Sequence, residues 1–399
     1  MNKPNQQSEQ SQAKPQQKQN QNKDPEQYQN NSCVYNLTRK LLANYCKINE
    51  LYYSAHDDNN GYLRVSQNAE LSSGRFRITG KKRLGKGSFG EVWKAFDSKE
   101  NQNVALKILR KRKHFAIQGA NEAALLAELS AEYDVNDVHI VSLLGSLYIS
   151  NHFCLILELL DKNLYQIYRS KYKSELFPLN AVIEVTKQLL QSLKALHNYN
   201  PPIIHTDLKP ENILSVGPWD DQNPNVKIVD LGSAMKCDEP RKFNYVQSRY
   251  YRAPEILLRC HDNDYTTAID IWSLGCVIVE MILRQPLFKG HNSAQMVSLI
   301  DSTLGEPPKD MRIGKDFAKY YNDLPEDEES DYEREHCLLS VPLTKHHEHP
   351  RILFAQLVER TEDYRWEVLG NMVERMIQWR ADDRMSATDL LNYMIEQGL

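Results

Sequence analysis

The chain has 399 residues, of which 41% are hydrophobic, so it can bury the core of one large domain or of two domains of ordinary size. Its formal net charge of only −4 provides no overall basic field that would attract nucleic acid or an anionic membrane. Neither a nucleic-acid partner nor a membrane partner is therefore expected.

Cysteine usage and hydropathy predict a soluble protein that works inside the cell. The seven cysteines lie far apart and form no Cys-x-x-Cys pair, which argues against a zinc site or a disulfide framework. The most apolar stretch, Ile269 to Leu283, is too short to span a bilayer and is interrupted by Asp270 and Glu280. The N-terminus is too polar for a signal peptide. We expect residence in the cytoplasm, the nucleus or both.

The first 75 residues divide into a tail and an appendage. Residues 1–32 are mostly Gln, Asn, Lys, Pro and Ser, and this composition predicts a disordered tail because it cannot bury enough apolar surface to offset the entropy of ordering. In residues 33–75, helix-like spacing of aromatics and leucines is followed by a turn at His56–Gly61 and a short predicted strand at Tyr62–Val65. This region is expected to be an ordered appendage.

A small β-rich lobe is predicted next, over residues 76–160. A helix is expected around Ala120 to Glu132. The predicted strands are Arg75–Ile78, Glu91–Phe96, Val104–Leu109, Ile140–Leu147 and Cys154–Leu157.

Long helical patterns dominate from residue 161 to about 394. The clearest are Asn180–His197 and Thr267–Leu283, so this second lobe is expected to be mainly helical. An acid-rich segment at about 323–350 is predicted to be an exposed insert, most simply a solvated loop.

Gly85 to Val92 form a G-x-G-x-x-G-x-V run between two predicted strands, where glycines let backbone amides approach a polyphosphate. The same glycine spacing also opens dinucleotide-binding folds, but a helix would then follow, whereas Glu91–Phe96 is strand-like. For the glycines alone, a purely structural turn remains an alternative.

Lys107 lies in the middle of an apolar strand, and strand alternation points its side chain into the predicted cleft. A buried lysine needs an anionic partner, which Glu122 on the following helix can supply, with Glu128 as the alternative. The pair would direct Lys107 to the α- and β-phosphates of a nucleotide. A lone strand lysine can also simply extend its amine to solvent.

The segment Ile203 to Leu214 places a dense polar loop between two apolar pairs. Phosphoryl transfer needs a carboxylate to accept the hydroxyl proton, a cation near the γ-phosphate and oxygen ligands for magnesium. Asp207, Lys209 and Asn212 supply one of each. Asp230, at the end of the next apolar strand, is a second predicted Mg²⁺ ligand. ATP and Mg²⁺ are thus the expected cofactors.

Together these motifs resemble the protein kinase superfamily over about Phe76 to Asn392. Within it the chain resembles the CMGC group and most of all the dual-specificity tyrosine-regulated kinases, through three blocks of sequence. These are Gly85–Gly90, Glu158–Leu160 with Asn163–Tyr165, and Tyr245–Glu255. The segment Asp57–Val65 also resembles the short homology box that precedes the catalytic domain in these kinases.

The resemblance implies an α+β, bilobal protein-kinase fold with a small β-rich N-lobe and a larger helical C-lobe. It also implies that Leu157 is the gatekeeper, that the backbone of Glu158 and Leu160 binds adenine, and that three apolar side chains enclose the ring. The family's nucleotide-binding positions fall on Leu84, Gly85, Lys86, Gly87, Ser88, Phe89, Gly90, Val92, Ala105, Lys107, Leu157, Glu158, Leu160 and Leu214. For the structure, Glu255 is expected to pair with Arg384, and Asp270 to anchor the catalytic loop.

The resemblance further implies a regulatory tyrosine that the kinase phosphorylates on itself. Tyr245 matches it, and a phosphate there would be bound by Arg249 and Arg252 through charge-assisted hydrogen bonds. Phe243 stands where the family usually has a first tyrosine.

Two further positions depart from the wider kinase pattern. Thr206 replaces the arginine that usually precedes the catalytic aspartate. The contact that this arginine makes with a phosphorylated loop is therefore not expected here. Leu231 replaces the usual Phe after Asp230, a change that should preserve apolar packing.

The function predicted is transfer of the γ-phosphate of ATP to Ser/Thr of protein substrates, with self-phosphorylation of Tyr245, by a monomer. Arg252 suggests tolerance of proline after the phosphoacceptor, and Glu211 is placed to attract a basic residue before it. The alternatives are a pseudokinase that binds nucleotide without transfer, and an interaction hub built on the tail and insert. A metal site at His346, His347 and His349 is not favoured over a solvated histidine run.

Overall fold

The structure is a computed structural model, and it describes residues 56–172, 176–239, 245–260, 265–321 and 349–399. Several predictions concern residues outside these ranges. They are the tail at 1–32, the helix-like spacing before residue 54, nearly all of the insert at 323–350, Phe243, His346 and His347.

The small lobe is built on an antiparallel sheet that has seven strands within the described residues, in the order β1-β2-β4-β5-β7-β6 with β3 paired to β4. The strands are β1 (Glu70–Leu71), β2 (Phe76–Ile78), β3 (Gly85–Lys86), β4 (Gly90–Asp97), β5 (Gln102–Leu109), β6 (Leu143–Ile149) and β7 (His152–Glu158). Lys107, near the middle of β5, lies opposite Val92 on β4 and Leu155 on β7. The register thus places it at the centre of the sheet.

Helix α1 (Lys113–Glu132) packs against this sheet. Its alanine-rich sequence favours a helix and allows close packing. The packing is close at Gly119, where a Cβ would lie 2.0 Å from a methyl carbon of Leu109. The helix contacts β5, β6 and β7, and it carries Glu122 to the level of Lys107.

The large lobe is mainly helical, as predicted. Its helices are α2 (Leu164–Lys171), α3 (Leu179–His197), α4 (Pro254–Leu257), α5 (Ala268–Leu283), α6 (Ser293–Leu304), α7 (Phe317–Tyr321), α8 (Pro350–Thr361), α9 (Arg365–Met376) and α10 (Ala387–Glu396). Two short antiparallel pairs join β8 (Ile203–Ile204) to β11 (Met235–Lys236) and β9 (Ile213–Ser215) to β10 (Val226–Ile228). Helix α5 is buried along nearly its whole length, as befits a helix that is apolar on every side. In the described part of the chain no helix combines the length and apolarity needed to cross a membrane.

The predicted bilobal α+β fold is therefore confirmed, while some element bounds were wrong. Tyr62–Val65 is not a strand: only an isolated bridge joins Asp57 to Leu63, because the segment folds back on itself and Arg64 donates to the carbonyl of His56 at 2.8 Å. Helix α1 begins seven residues before Ala120, in a basic stretch whose N-terminus has no side-chain cap. The strand expected from Ile140 begins at Leu143, because Ile140 bridges to Ile228 instead.

A buried ion pair stabilises the large lobe, and it is the pair that the sequence predicts. Arg384 binds both carboxylate oxygens of Glu255 at 2.7 Å, and its side chain is 0% exposed. The same guanidinium donates to the carbonyls of Ala268, Gln378 and Trp379. Arg384 thus joins α4 to the start of α5 and to the loop after α9.

Replacing Arg384 with methionine should lower the free energy of unfolding by about 3–5 kcal/mol, because Glu255 would keep a buried charge without its partner. Denaturant unfolding followed by circular dichroism measures this. Arg312→Met is the matched control, since Arg312 is 39% exposed and its partner Glu306 is 75% exposed. The control should change stability by less than about 1 kcal/mol. Equal effects of the two substitutions would contradict the structural role of Arg384.

Candidate active site

Lys107 is the centre of an ionic cluster between the lobes, in which Lys107 and Glu122 are buried and Asp230 is partly exposed. Its amine lies 2.7 Å from Glu122 Oε2 and 2.7 Å from Asp230 Oδ1. The pairing with Glu122 that the sequence predicts is therefore present, whereas the alternative partner, Glu128, binds Lys236 at 2.7 Å. Burial alone would lower the pKa of Lys107, but the carboxylates of Asp230 and Glu122 outweigh it and raise the pKa overall. Lys107 is thus held as a cation.

Asp207 lies in the loop after β8, with a cation and a hydroxyl against its two carboxylate oxygens. The Lys209 amine is 2.6 Å from Oδ2, and the Ser248 hydroxyl donates to Oδ1 at 2.7 Å. Lys209 also donates to Ser248 at 2.9 Å, so the three groups form a closed triangle. Ser248 was not predicted as a site residue, because no spacing rule relates it to an aspartate that precedes it by 41 positions.

Asp270 of α5 fixes the backbone of the loop that carries Asp207, as the sequence predicts. The Asp270 carboxylate is fully buried and accepts hydrogen bonds from the backbone N–H groups of His205 at 2.8 Å and Thr206 at 3.0 Å. Thr206 has a φ of 67°, an unfavourable value for a β-branched residue. Its hydroxyl donates to the carbonyl of Ser233 at 2.8 Å. Such strain persists only where the surroundings enforce it, and here Asp270 and Ser233 do so.

Asn212 and Asp230 lie side by side, since Val229 donates to the backbone carbonyl of Asn212 at 3.0 Å. The amide nitrogen of Asn212 donates to the Asp207 carbonyl at 2.9 Å, which leaves its amide oxygen as the acceptor for a ligand. Burial raises the pKa of Asp230, but Lys107 outweighs this and lowers the pKa overall, so the carboxylate stays ionised. A carboxylate and an amide oxygen are ligands that suit Mg²⁺.

These two residues fit a magnesium ion that takes its other ligands from phosphates and water. In the described ranges no group of three or more His, Cys, Asp or Glu side chains is arranged to hold a metal. A site with few protein ligands is typical of Mg²⁺ bound together with a nucleotide.

The three glycines of the phosphate-binding run meet different surroundings. A Cβ at Gly90 would lie 2.4 Å from the carbonyl oxygen of Ile108, so the pairing of β4 with β5 requires glycine there. At Gly85 and Gly87, a Cβ would meet no described atom within 4 Å. The described fold gives no reason for glycine at these two positions, whereas the close approach of a polyphosphate does.

The apolar residues that the sequence assigns to the adenine position come from both lobes. Ala105 lies opposite Leu157 across β5 and β7, and both are buried, while Leu214 lies on β9. The Glu158 side chain faces the protein, where it binds Lys227 at 2.6 Å, so only its backbone is left for a ligand. Of the remaining predicted positions, Leu160 is buried, Leu84 is 47% exposed at the start of the glycine loop, and Phe89 at the loop tip packs edge-on against Phe115.

Tyr245 is 59% exposed and lies against the two arginines that the sequence assigns to it. The Arg252 guanidinium stacks over the Tyr245 ring, 3.5 Å from its centroid. Burial raises the pKa of Tyr245, but Arg252 and, to a lesser extent, Ser293 and Arg249 lower it, and the net shift is downward. The ring hydroxyl thus lies in an electropositive environment that suits an anion.

Comparison with known proteins agrees with this geometry. The protein kinase domain matches residues 78–394 of the chain. Dual specificity tyrosine-phosphorylation-regulated kinase 3 of Rattus norvegicus is 40% identical over 239 residues, which are 60% of this chain and 39% of that protein. The protein of the same name from Homo sapiens is 39% identical over 239 residues, with the same coverage. The chain spans about two fifths of the length of the curated relatives it matches.

The different surroundings of the glycines predict different effects of alanine. Gly90→Ala should lower the free energy of unfolding by about 1–3 kcal/mol, because β4 and β5 must separate to admit the methyl group. Gly87→Ala should change stability by no more than about 0.5 kcal/mol, yet weaken binding of Mg-ATP. Denaturant unfolding and equilibrium titration with nucleotide measure the two effects. A destabilised Gly87→Ala variant with unchanged nucleotide affinity would mean that this glycine serves the fold.

Proposed function

The chain belongs to the protein kinase family, and from that premise we propose that it transfers the γ-phosphate of ATP to serine and threonine hydroxyls of protein substrates. The observation that carries the proposal is the Ser248 hydroxyl, which donates to Asp207 at 2.7 Å and accepts from Lys209 at 2.9 Å. Asp207 and Lys209 therefore already accommodate an aliphatic hydroxyl between them, in the arrangement that a substrate serine would need.

The proposed chemistry assigns one role to each charged residue. Asp207 accepts the proton of the substrate hydroxyl while the oxygen of that hydroxyl bonds to the γ-phosphorus. The bond between the γ-phosphorus and the bridging oxygen of the β-phosphate breaks at the same time, and ADP leaves. Lys209 lies beside Asp207 and stabilises the negative charge that develops on the transferred group. Lys107, fixed by Glu122, positions the α- and β-phosphates. A magnesium ion held by Asp230 and Asn212 would neutralise phosphate charge.

We also propose that the kinase phosphorylates its own Tyr245 and that the product is stabilised locally. A phosphate carries about −1.5 to −2 charges, and the guanidinium of Arg252 already stacks on the ring that would bear it. Arg249 lies four residues after Tyr245 and supplies a second cation. The name of the relatives, dual specificity tyrosine-phosphorylation-regulated kinase, supports this proposal.

We propose the substrate preference, the oligomeric state and the cellular compartment from single features of the chain. Glu211 is exposed at the end of the catalytic loop, where its charge would attract a basic residue before the phosphoacceptor. We also propose that the enzyme prefers proline directly after the phosphoacceptor. We further propose a monomer of the cytoplasm or nucleus, without nucleic-acid or membrane partners. The cysteines that the structure describes are free thiols, which suits a reducing compartment.

The first test is mass spectrometry of the chain expressed in bacteria, with Asp207→Asn and the control Asp220→Asn beside the wild type. Asp220 is exposed on a loop outside the site. The wild type and the control should carry phosphate on Tyr245 and phosphorylate Ser/Thr of a basic protein. Asp207→Asn should lose about 10²–10⁴-fold in rate, because the general base is removed. Mg-ATP binding without any phosphate transfer by the wild type would favour the pseudokinase alternative.

A second test concerns substrate choice. Glu211→Gln should reduce the preference of the enzyme for Arg or Lys before the phosphoacceptor, since the attracting charge is lost, and leave the preference for the following proline unchanged. A peptide array scored for both positions measures this. If the wild type shows neither preference, the proposed specificity is wrong.

A further inference from the structure

The segment before the kinase domain is fixed to the small lobe by a buried carboxylate. Asp57 accepts from the Lys111 amine at 3.1 Å and contacts His152 Nε2 at 2.9 Å, and the three side chains are 0–3% exposed. The backbone N–H of Lys111 also donates to the Gly61 carbonyl at 2.8 Å. The segment therefore has a fixed position beside the end of β5, the strand that carries Lys107.

From this position Tyr62 reaches the glycine loop, Gly85–Gly90, which is proposed to bind the phosphates. Its hydroxyl donates to the carbonyl oxygen of Gly87 at 2.8 Å. Its ring contacts two cations, the Lys86 amine at 4.0 Å and the Arg110 guanidinium at 4.9 Å from the centroid. Lys86 belongs to the loop, so Tyr62 contacts the loop both through its hydroxyl and through its ring.

Arg110 extends the same contact along the loop. Its side chain donates to the Ser88 carbonyl at 3.0 Å and to the Asn60 carbonyl at 2.8 Å, and its backbone N–H donates to the Phe89 carbonyl at 2.9 Å. The carbonyls of three successive loop residues are thus held by Tyr62 or by Arg110.

Holding these carbonyls fixes the direction of the loop's N–H groups. In a planar trans peptide the C=O and the next N–H point in opposite directions. With the Gly87 and Ser88 carbonyls bound to Tyr62 and Arg110, the N–H groups of Ser88 and Phe89 point away from these two side chains. Oriented backbone N–H groups bind phosphate oxygens, so their direction decides how well the loop binds a polyphosphate.

We propose that Tyr62 is a positioning residue for ATP: it holds the glycine loop with its amides turned towards the phosphates and so sets the affinity for the nucleotide. The proposal deepens the proposed kinase function, since it names a residue outside the domain match at 78–394 that tunes the same site. It also gives a specific task to the segment Asp57–Val65. A residue that acts on the loop should affect ligands that carry phosphates and spare those that lack them.

The test compares binding of Mg-ATP and adenosine to the full chain by equilibrium titration. Tyr62→Phe removes the hydroxyl and keeps the ring, and should weaken Mg-ATP binding about fivefold, as expected for one net hydrogen bond. Tyr62→Leu also removes the ring that contacts the two cations and should weaken Mg-ATP binding about tenfold or more. Binding of adenosine should stay within about twofold of the wild type in both variants, because adenosine makes no contact with oriented amides.

Tyr364→Leu is the matched control, because Tyr364 is 59% exposed in the large lobe, and it should leave both affinities unchanged. Unchanged Mg-ATP affinity in Tyr62→Leu would overturn the proposal, and so would equal losses for Mg-ATP and adenosine, which would indicate a merely structural contact. A wild type that binds Mg-ATP but transfers no phosphate would contradict the proposed function and leave this comparison of affinities valid.

Discussion

The ionic cluster at Lys107 is the interaction on which the site depends. One amine is shared by Glu122 of α1 and by Asp230 after β10, so the sheet, the helix and the large lobe meet at a single charge. Because Lys107 and Glu122 are buried, removing one of them would leave the other as an unpaired charge in a poorly solvating environment. The position of α1 is thereby coupled to that of a proposed magnesium ligand.

A second constraint acts from the opposite side of the cleft. Asp270 belongs to α5, which is buried along nearly its whole length, and binds two consecutive backbone N–H groups of the loop that carries Asp207. The strained backbone at Thr206 shows that this loop is held in a shape it would not adopt alone. The proposed reactive groups are therefore positioned by buried carboxylates on both sides, Glu122 in the small lobe and Asp270 in the large lobe.

Much of the fold and of the site was predictable from the sequence, because the site residues lie in short motifs whose order and local strand or helix pattern are visible along the chain. Lys107 with Glu122, and Asp207 with Lys209, follow this rule. Ser248 and Tyr62 were not predicted in their roles, since each contacts a residue 25 or more positions away through packing that periodicity does not encode. The strand predicted at Tyr62–Val65 was wrong because the segment pairs only locally, through a single bridge between Asp57 and Leu63.

The buried Asp57 bears on where the domain begins. The family match starts at residue 78, yet Lys111 and His152, both well inside the match, have their carboxylate partner at residue 57. A fragment cut at the family boundary would remove the carboxylate partner of this lysine and this histidine. Within the described residues, the packed small lobe therefore begins before the family match and extends at least as far back as Asp57.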